Sequence, residues 1–81
     1  MRDVRIPLTR TETHLLVVLA KNADRVVSRG RLLQTVWGLP IDTTNNSLNT
    51  CIYSLRRKLD SHSAPHRIYT ERGVGFSLRT R

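Results

Sequence analysis

Leu48, Ile52, Leu55 and Leu59 recur at i, i+4, i+7 and i+11, which is one narrow stripe at the helical period. Residues so spaced coil into a helix over about 45–59 and have to bury that stripe. Stepping about 100° per residue from Ile52 puts Asn46, Thr50, Tyr53, Ser54 and Arg57 on the far side, with Ser47 at its edge. Asn49 and Arg56 fall on one flank, Cys51 and Lys58 on the other. A solvated helix usually mixes Glu with Lys, yet this one has no acid before Asp60. Its outer face is hydrogen-bonding groups and cations.

The rest of the chain supplies the frame for that helix. Thr9-Arg10-Thr11-Glu12 fits a capping box and predicts a helix over about 10–21, with Leu15, Leu16, Val18, Leu19 and Ala20 as its buried stripe. Asn22-Ala23-Asp24 reads as a turn, and Val26-Val27 as a short extended pair offering one ladder rung. Ser28 is a good N-cap for a second helix over about 29–37, whose Leu32, Leu33, Val36 and Trp37 face inward. Gly38 stops it and Pro40 prevents continuation, leaving a polar loop to Thr44, where Thr44 or Asn45 caps the third helix. After a loop from Asp60 to His66, Arg67-Ile68-Tyr69-Thr70 and Phe76-Ser77-Leu78-Arg79 alternate with period two around Gly73 and Gly75. That predicts a hairpin over about 67–79. The fold class is therefore α+β: three helices, then a β-hairpin. This is the order of a winged helix-turn-helix, with the third helix placed for a major groove and the hairpin as the wing.

Charge agrees with that surface without establishing it. In 81 residues, 14 Lys plus Arg face 6 Asp plus Glu, a formal +8. Residues 1–40 and 41–81 each hold seven basic and three acidic groups, so the excess is no basic tail on an acidic body. The tightest cluster is Arg56-Arg57-Lys58. Such a surface attracts polyanions by counterion release and steering, although a merely solvated face or an acidic membrane surface would satisfy the same charge. No apolar run approaches the ~20 residues of a membrane span. Arg2, Asp3 and Arg5 break any signal-peptide pattern, and a lone cysteine, Cys51, cannot make an internal disulfide. A single cytoplasmic domain of residues 1–81 is expected, with no membrane partner. His14, His62 and His66 are scattered and lack zinc spacing with Cys51, and there is no P-loop or dinucleotide fingerprint. No catalytic residue, metal or cofactor is expected.

Several pieces, in order, match a known pattern. Leu8-Thr9-x-x-Glu12-x-x-Leu15-Leu16 is followed by Arg25-Val26-Val27-Ser28-Arg29, Leu32-Leu33 and Val36-Trp37-Gly38. Leu48, Ile52 and Leu55-Arg56-Arg57-Lys58-Leu59 come next, then Thr70-x-Arg72-Gly73-Val74-Gly75-Phe76. From Leu8 to Leu78 the chain resembles the OmpR/PhoB-type winged-helix effector domain of bacterial response regulators. It departs at Thr13, where the family usually has an aromatic, at Cys51, where a His is frequent, and at Tyr53-Ser54, which is often a basic pair. The last two positions commonly touch DNA in the family, so no base preference carries across. The family's effector domains open on a four-stranded sheet, whereas here only Asp3 to Leu8 offers a remnant strand.

The resemblance implies sequence-specific duplex DNA binding in transcription control. Arg56 resembles the family arginine that reaches a phosphate or base; its alternative is a stem packed over the core. Asn46, Thr50 and Arg57 face outward and suit base edges, with Tyr53 and Ser54 beside them and Ser47 near the helix N-terminus where a phosphate can sit. Arg72, at the hairpin tip, suits a minor groove, and Thr70 a phosphate. The 38–44 loop resembles a segment that contacts RNA polymerase, and head-to-tail pairing on DNA is the family habit. The competing function is a protein-interaction winged helix without specific DNA binding.

Overall fold

A computed structural model describes residues 6–39 and 46–80. The order is α1 (Arg10–Lys21), β1 (Val27–Ser28), α2 (Arg29–Leu32), a wider π-helical turn (Leu33–Trp37), α3 (Ser47–Ser61), β2 (His66–Glu71) and β3 (Gly75–Thr80). The three strands form one antiparallel sheet in the order β1-β3-β2. This is the winged-helix arrangement, with the β2–β3 hairpin as the wing.

α1 begins as the capping box requires. Thr9 Oγ1 accepts from the Glu12 N–H at 3.1 Å, and the Glu12 carboxylate accepts from the Thr9 N–H at 2.9 Å. Its stripe is narrower than expected: Leu15 and Leu19 are fully buried, Leu16 and Val18 half-buried, and Ala20 exposed. Glu12 takes the place left over, at 4% exposure.

Ser28 caps α2 by accepting from the Arg31 N–H. The second helix is not one regular element over 29–37, because it widens at Leu33. Bonding from i to i+5 inserts a residue and re-aims the side chains beyond it. Val36, Trp37 and Leu39 thereby all reach the edge of the core. Gly38 ends the segment at φ +70°, a left-handed conformation natural to glycine.

α3 is shifted two residues from its expected end. It begins at Ser47, and Asn46, in helical conformation, makes no side-chain cap bond. Thr44 and Asn45, the expected caps, lie outside the described residues. The helix continues to Ser61 because a Schellman closure follows it. Ala64 N–H donates to Leu59 O and Ser63 N–H to Asp60 O, with Ser63 at φ +52° and Ala64 buried. Its inward stripe is the expected one: Leu48, Ile52, Leu55 and Leu59 are at most 4% exposed. They meet Leu15 and Leu19 of α1, Leu32 and Leu33, and Ile68, Phe76 and Leu78 of the sheet.

The expected rung at Val26-Val27 forms one residue later, with Val27 opposite Phe76 and Ser28 opposite Gly75. Ser28 thus ends the strand and caps the helix at once. The hairpin extends one residue further at each end than the alternation suggested, pairing His66 with Thr80. Of the remnant strand at residues 3–8, residues 1–5 lie outside the described residues and 6–9 take no regular structure.

Candidate nucleic-acid interface

α3 displays the polar face that its sequence implied. Asn46, Ser47, Asn49, Thr50, Tyr53 and Arg57 are exposed, Tyr53 at 61%. The Arg57 guanidinium carbon lies 5.9 Å from the centroid of the Tyr53 ring, so the cation rests against an aromatic rather than a carboxylate. No acid stands on this face before Asp60.

The three consecutive cations Arg56, Arg57 and Lys58 do not act as one cluster. About 100° of helical turn separates each from the next, and each goes to a different place. Arg57 points outward. Lys58 turns to α1, where its Nζ lies 2.6 Å from Glu12 Oε1. Arg56 turns to the wing, donating from Nε to Ile68 O at 3.2 Å and from Nη2 to Thr70 Oγ1 at 2.8 Å. Of the groups expected to reach a phosphate or base, Arg56 thus has two of its nitrogens engaged by β2.

Ser54 is corrected. Helical spacing puts it on the outer face, but it is half-buried and its Oγ donates to Glu12 Oε2 at 2.5 Å. Glu12 thus collects Thr9, Ser54 and Lys58. Burial alone would push its carboxyl up, but the Lys58 and Ser54 hydrogen bonds, the Thr9 N–H and the Lys58 charge outweigh that and hold it at about 2. The carboxylate that caps α1 is also the tie that sets α3 against α1.

One neighbour is missing from the sequence reading. Arg29, at the start of α2, donates from Nη1 to Asn49 Oδ1 at 2.6 Å. Arg29 also lines a shallow cleft with Thr70, Glu71, Gly73 and Val74, so a cation and a carboxylate both stand at the wing turn. The only local hint was an arginine directly after an N-cap serine, a common surface position. Arg72 is exposed in that turn, with Gly73 at φ +77° beside it. Cys51 is half-buried, and burial together with the nearby Glu12 charge pushes its thiol up, so it stays protonated at neutral pH. Among the described residues no three His, Cys, Asp or Glu side chains gather to hold a metal, and no helix is long and apolar enough to cross a membrane.

A family model described as "Transcriptional regulatory protein, C terminal" matches residues 3–78. The chain belongs to this family. It is 47% identical over 75 residues to the response regulator MprA of Mycobacterium ulcerans (strain Agy99), a match covering 93% of this chain and 32% of that one. The MprA of Mycobacterium tuberculosis (strain ATCC 25618 / H37Rv) gives the same identity, with 33% of its length covered. The chain therefore spans about a third of the length of the curated relatives it matches. Among solved structures, the Klebsiella pneumoniae RstA DNA-binding domain in complex with the RstA box superposes with a TM-score of 0.79 at 29% identity, over 91% of this chain and 74% of that one. The DNA-binding domain of CpxR from E. coli gives 0.79 at 36% identity, over 93% and 74%. Membership of the C-terminal regulatory family and the winged-helix fold thus agree with the face that α3 exposes.

Proposed function

We propose that this chain is a sequence-specific duplex-DNA-binding domain of a response-regulator-like protein that controls transcription. The carrying observation is the exposed, acid-free face of α3 (Thr50, Tyr53 and Arg57) beside a wing that ends in Arg72. α3 enters the major groove, where Arg57, Thr50 and Asn46 reach base edges. Tyr53 packs its ring on sugar or a thymine methyl, and Ser47 holds a phosphate at the helix start. Arg72 enters the minor groove and Thr70 donates to a backbone phosphate. Residues 1–81 act as one non-catalytic, cytoplasmic binding unit. Pairing head-to-tail on DNA and contact with RNA polymerase through the 38–44 loop belong to the same reading; residues 40–45 of that loop lie outside the described residues.

Selection from random duplex oligonucleotides is the test. An enriched duplex motif supports the reading, and its absence favours a protein-binding winged helix. With roughly five phosphates neutralised, log affinity should fall against log salt with a slope of about −4 to −5. Arg72→Ala is expected to weaken similarly all duplexes that differ only under α3, whereas Thr50→Ala or Arg57→Ala should change which of those sequences is preferred, by roughly 1–3 kcal/mol at the affected base pair. Mobility shifts showing one uniform loss for all three variants would overturn this division.

A further inference from the structure

Arg56 makes contacts that neither charge nor groove reading requires. Its Nε and Nη2 bond Ile68 O and Thr70 Oγ1, two residues apart on β2, at 3.2 and 2.8 Å. Among the described residues β2 is the edge strand of the sheet, bonded to β3 on one side. The guanidinium meets it with a rigid planar fork, a geometry that an ammonium on a flexible stem does not hold. We propose that Arg56 is a positioning residue that registers the wing against the recognition helix, and that it does so through Thr70. The proposal rests on the DNA-binding reading above.

Two consequences follow from the chemistry. A hydroxyl has one proton to give and two lone pairs to fill. With Arg56 donating into Thr70 Oγ1, the Thr70 proton is turned away from α3, toward solvent, where Thr70 is exposed. The positive donor also makes that hydroxyl a stronger donor in turn, suited to a phosphate oxygen. In addition, the β2–β3 hairpin carries Arg72 at its turn, so the bridge fixes where Arg72 stands relative to Thr50 and Arg57. Major-groove and minor-groove contacts are thereby held at one spacing.

The test uses the full chain and a duplex motif obtained by selection. Two duplex series are compared: one changes bases under α3, the other exchanges the flank under the wing between an A-tract and G·C pairs, which differ in minor-groove width. Arg56→Lys keeps the charge and removes the fork. It is expected to preserve the ranking in the first series and to lose discrimination in the second by roughly fivefold or more. Thr70→Val, which removes the acceptor together with the hydroxyl that faces the phosphate, should weaken every duplex and also show the same loss of flank discrimination, and the double variant should discriminate flanks no worse than the worse single one. Because Thr70→Val reads the bridge from the other side, a poorly folded Arg56→Lys would not hide the answer. The proposal is overturned if Arg56→Lys and Thr70→Val keep wild-type flank discrimination. It is equally overturned if their losses add, or if Arg56→Gln alone lowers the salt slope by about 0.9 while Arg56→Lys is unchanged, the mark of a direct phosphate grip. A wild-type selection without any enriched duplex removes the DNA reading itself, a result distinct from any of these.

Discussion

Gly75→Ala is expected to lower stability by about 3 kcal/mol or more, at the upper end of what overpacking costs. Gly75 needs no left-handed backbone. It needs the absence of a side chain, because a Cβ there would lie 2.0 Å from Val27 O, 2.7 Å from Val27 C and 2.8 Å from Ser28 Cα. All three are backbone atoms, so no flexible side chain can swing aside. Relief requires β1 to leave β3. That breaks the Val27–Phe76 and Ser28–Gly75 pairs, uncovers Val27 from the core, and disturbs Ser28 as the cap of α2. In a domain of this length each kcal/mol moves Tm by roughly 4–8 °C, so thermal melting should show a fall of more than about 10 °C. Gly73→Ala is the control. At φ +77° with open space around it, it pays only the left-handed backbone cost of roughly 1–2 kcal/mol. If Gly73→Ala proved the more damaging of the two, the close crossing of β1 and β3 would be wrong.

Local rules made much of this fold legible, and distant contacts account for what they missed. The capping box at Thr9 and Glu12, the cap at Ser28, the stop at Gly38 and the α3 stripe all depend on residues within one or two turns. Periodicity shows which face of α3 is apolar, but it does not show what stands opposite the flanks. Ser54 looked outward on a helical wheel; across 42 residues it meets Glu12, and Lys58 does so across 46. The wheel puts Arg56 on a flank without showing that β2 stands opposite it and takes two of its nitrogens. The α3 terminus was misjudged for a different reason. A Schellman closure usually announces itself by glycine, and here Ser63 takes the left-handed position instead. Arg29 gave almost no local signal, because its partner Asn49 lies 20 residues away.

Glu12 carries the second large effect, and it depends on pH. Glu12 is 4% exposed and its carboxyl sits at about 2 instead of 4.5, because the bonds from Lys58, Ser54 and Thr9 outweigh the burial that would raise it. A folded-state value below the unfolded one means that the group stabilises the fold fully above pH 4.5 and loses that contribution as pH falls toward 2. A shift of this size corresponds to at most about 3.5 kcal/mol. Solvent screening trims it, since the Lys58 side chain is 31% exposed. Glu12→Gln keeps the shape and removes the titration. Urea unfolding at neutral pH should then show a loss of about 1–3 kcal/mol. Across pH 4.5 to 2 the wild-type curve should descend to meet that of the variant, because other carboxylates titrate alike in both. A gap that stayed constant over this window would reduce Glu12 to a helix cap. A gap that closes makes it a charge that holds α3 against α1, so duplex affinity should fall in Glu12→Gln even though no Glu12 atom belongs to the proposed DNA-binding face.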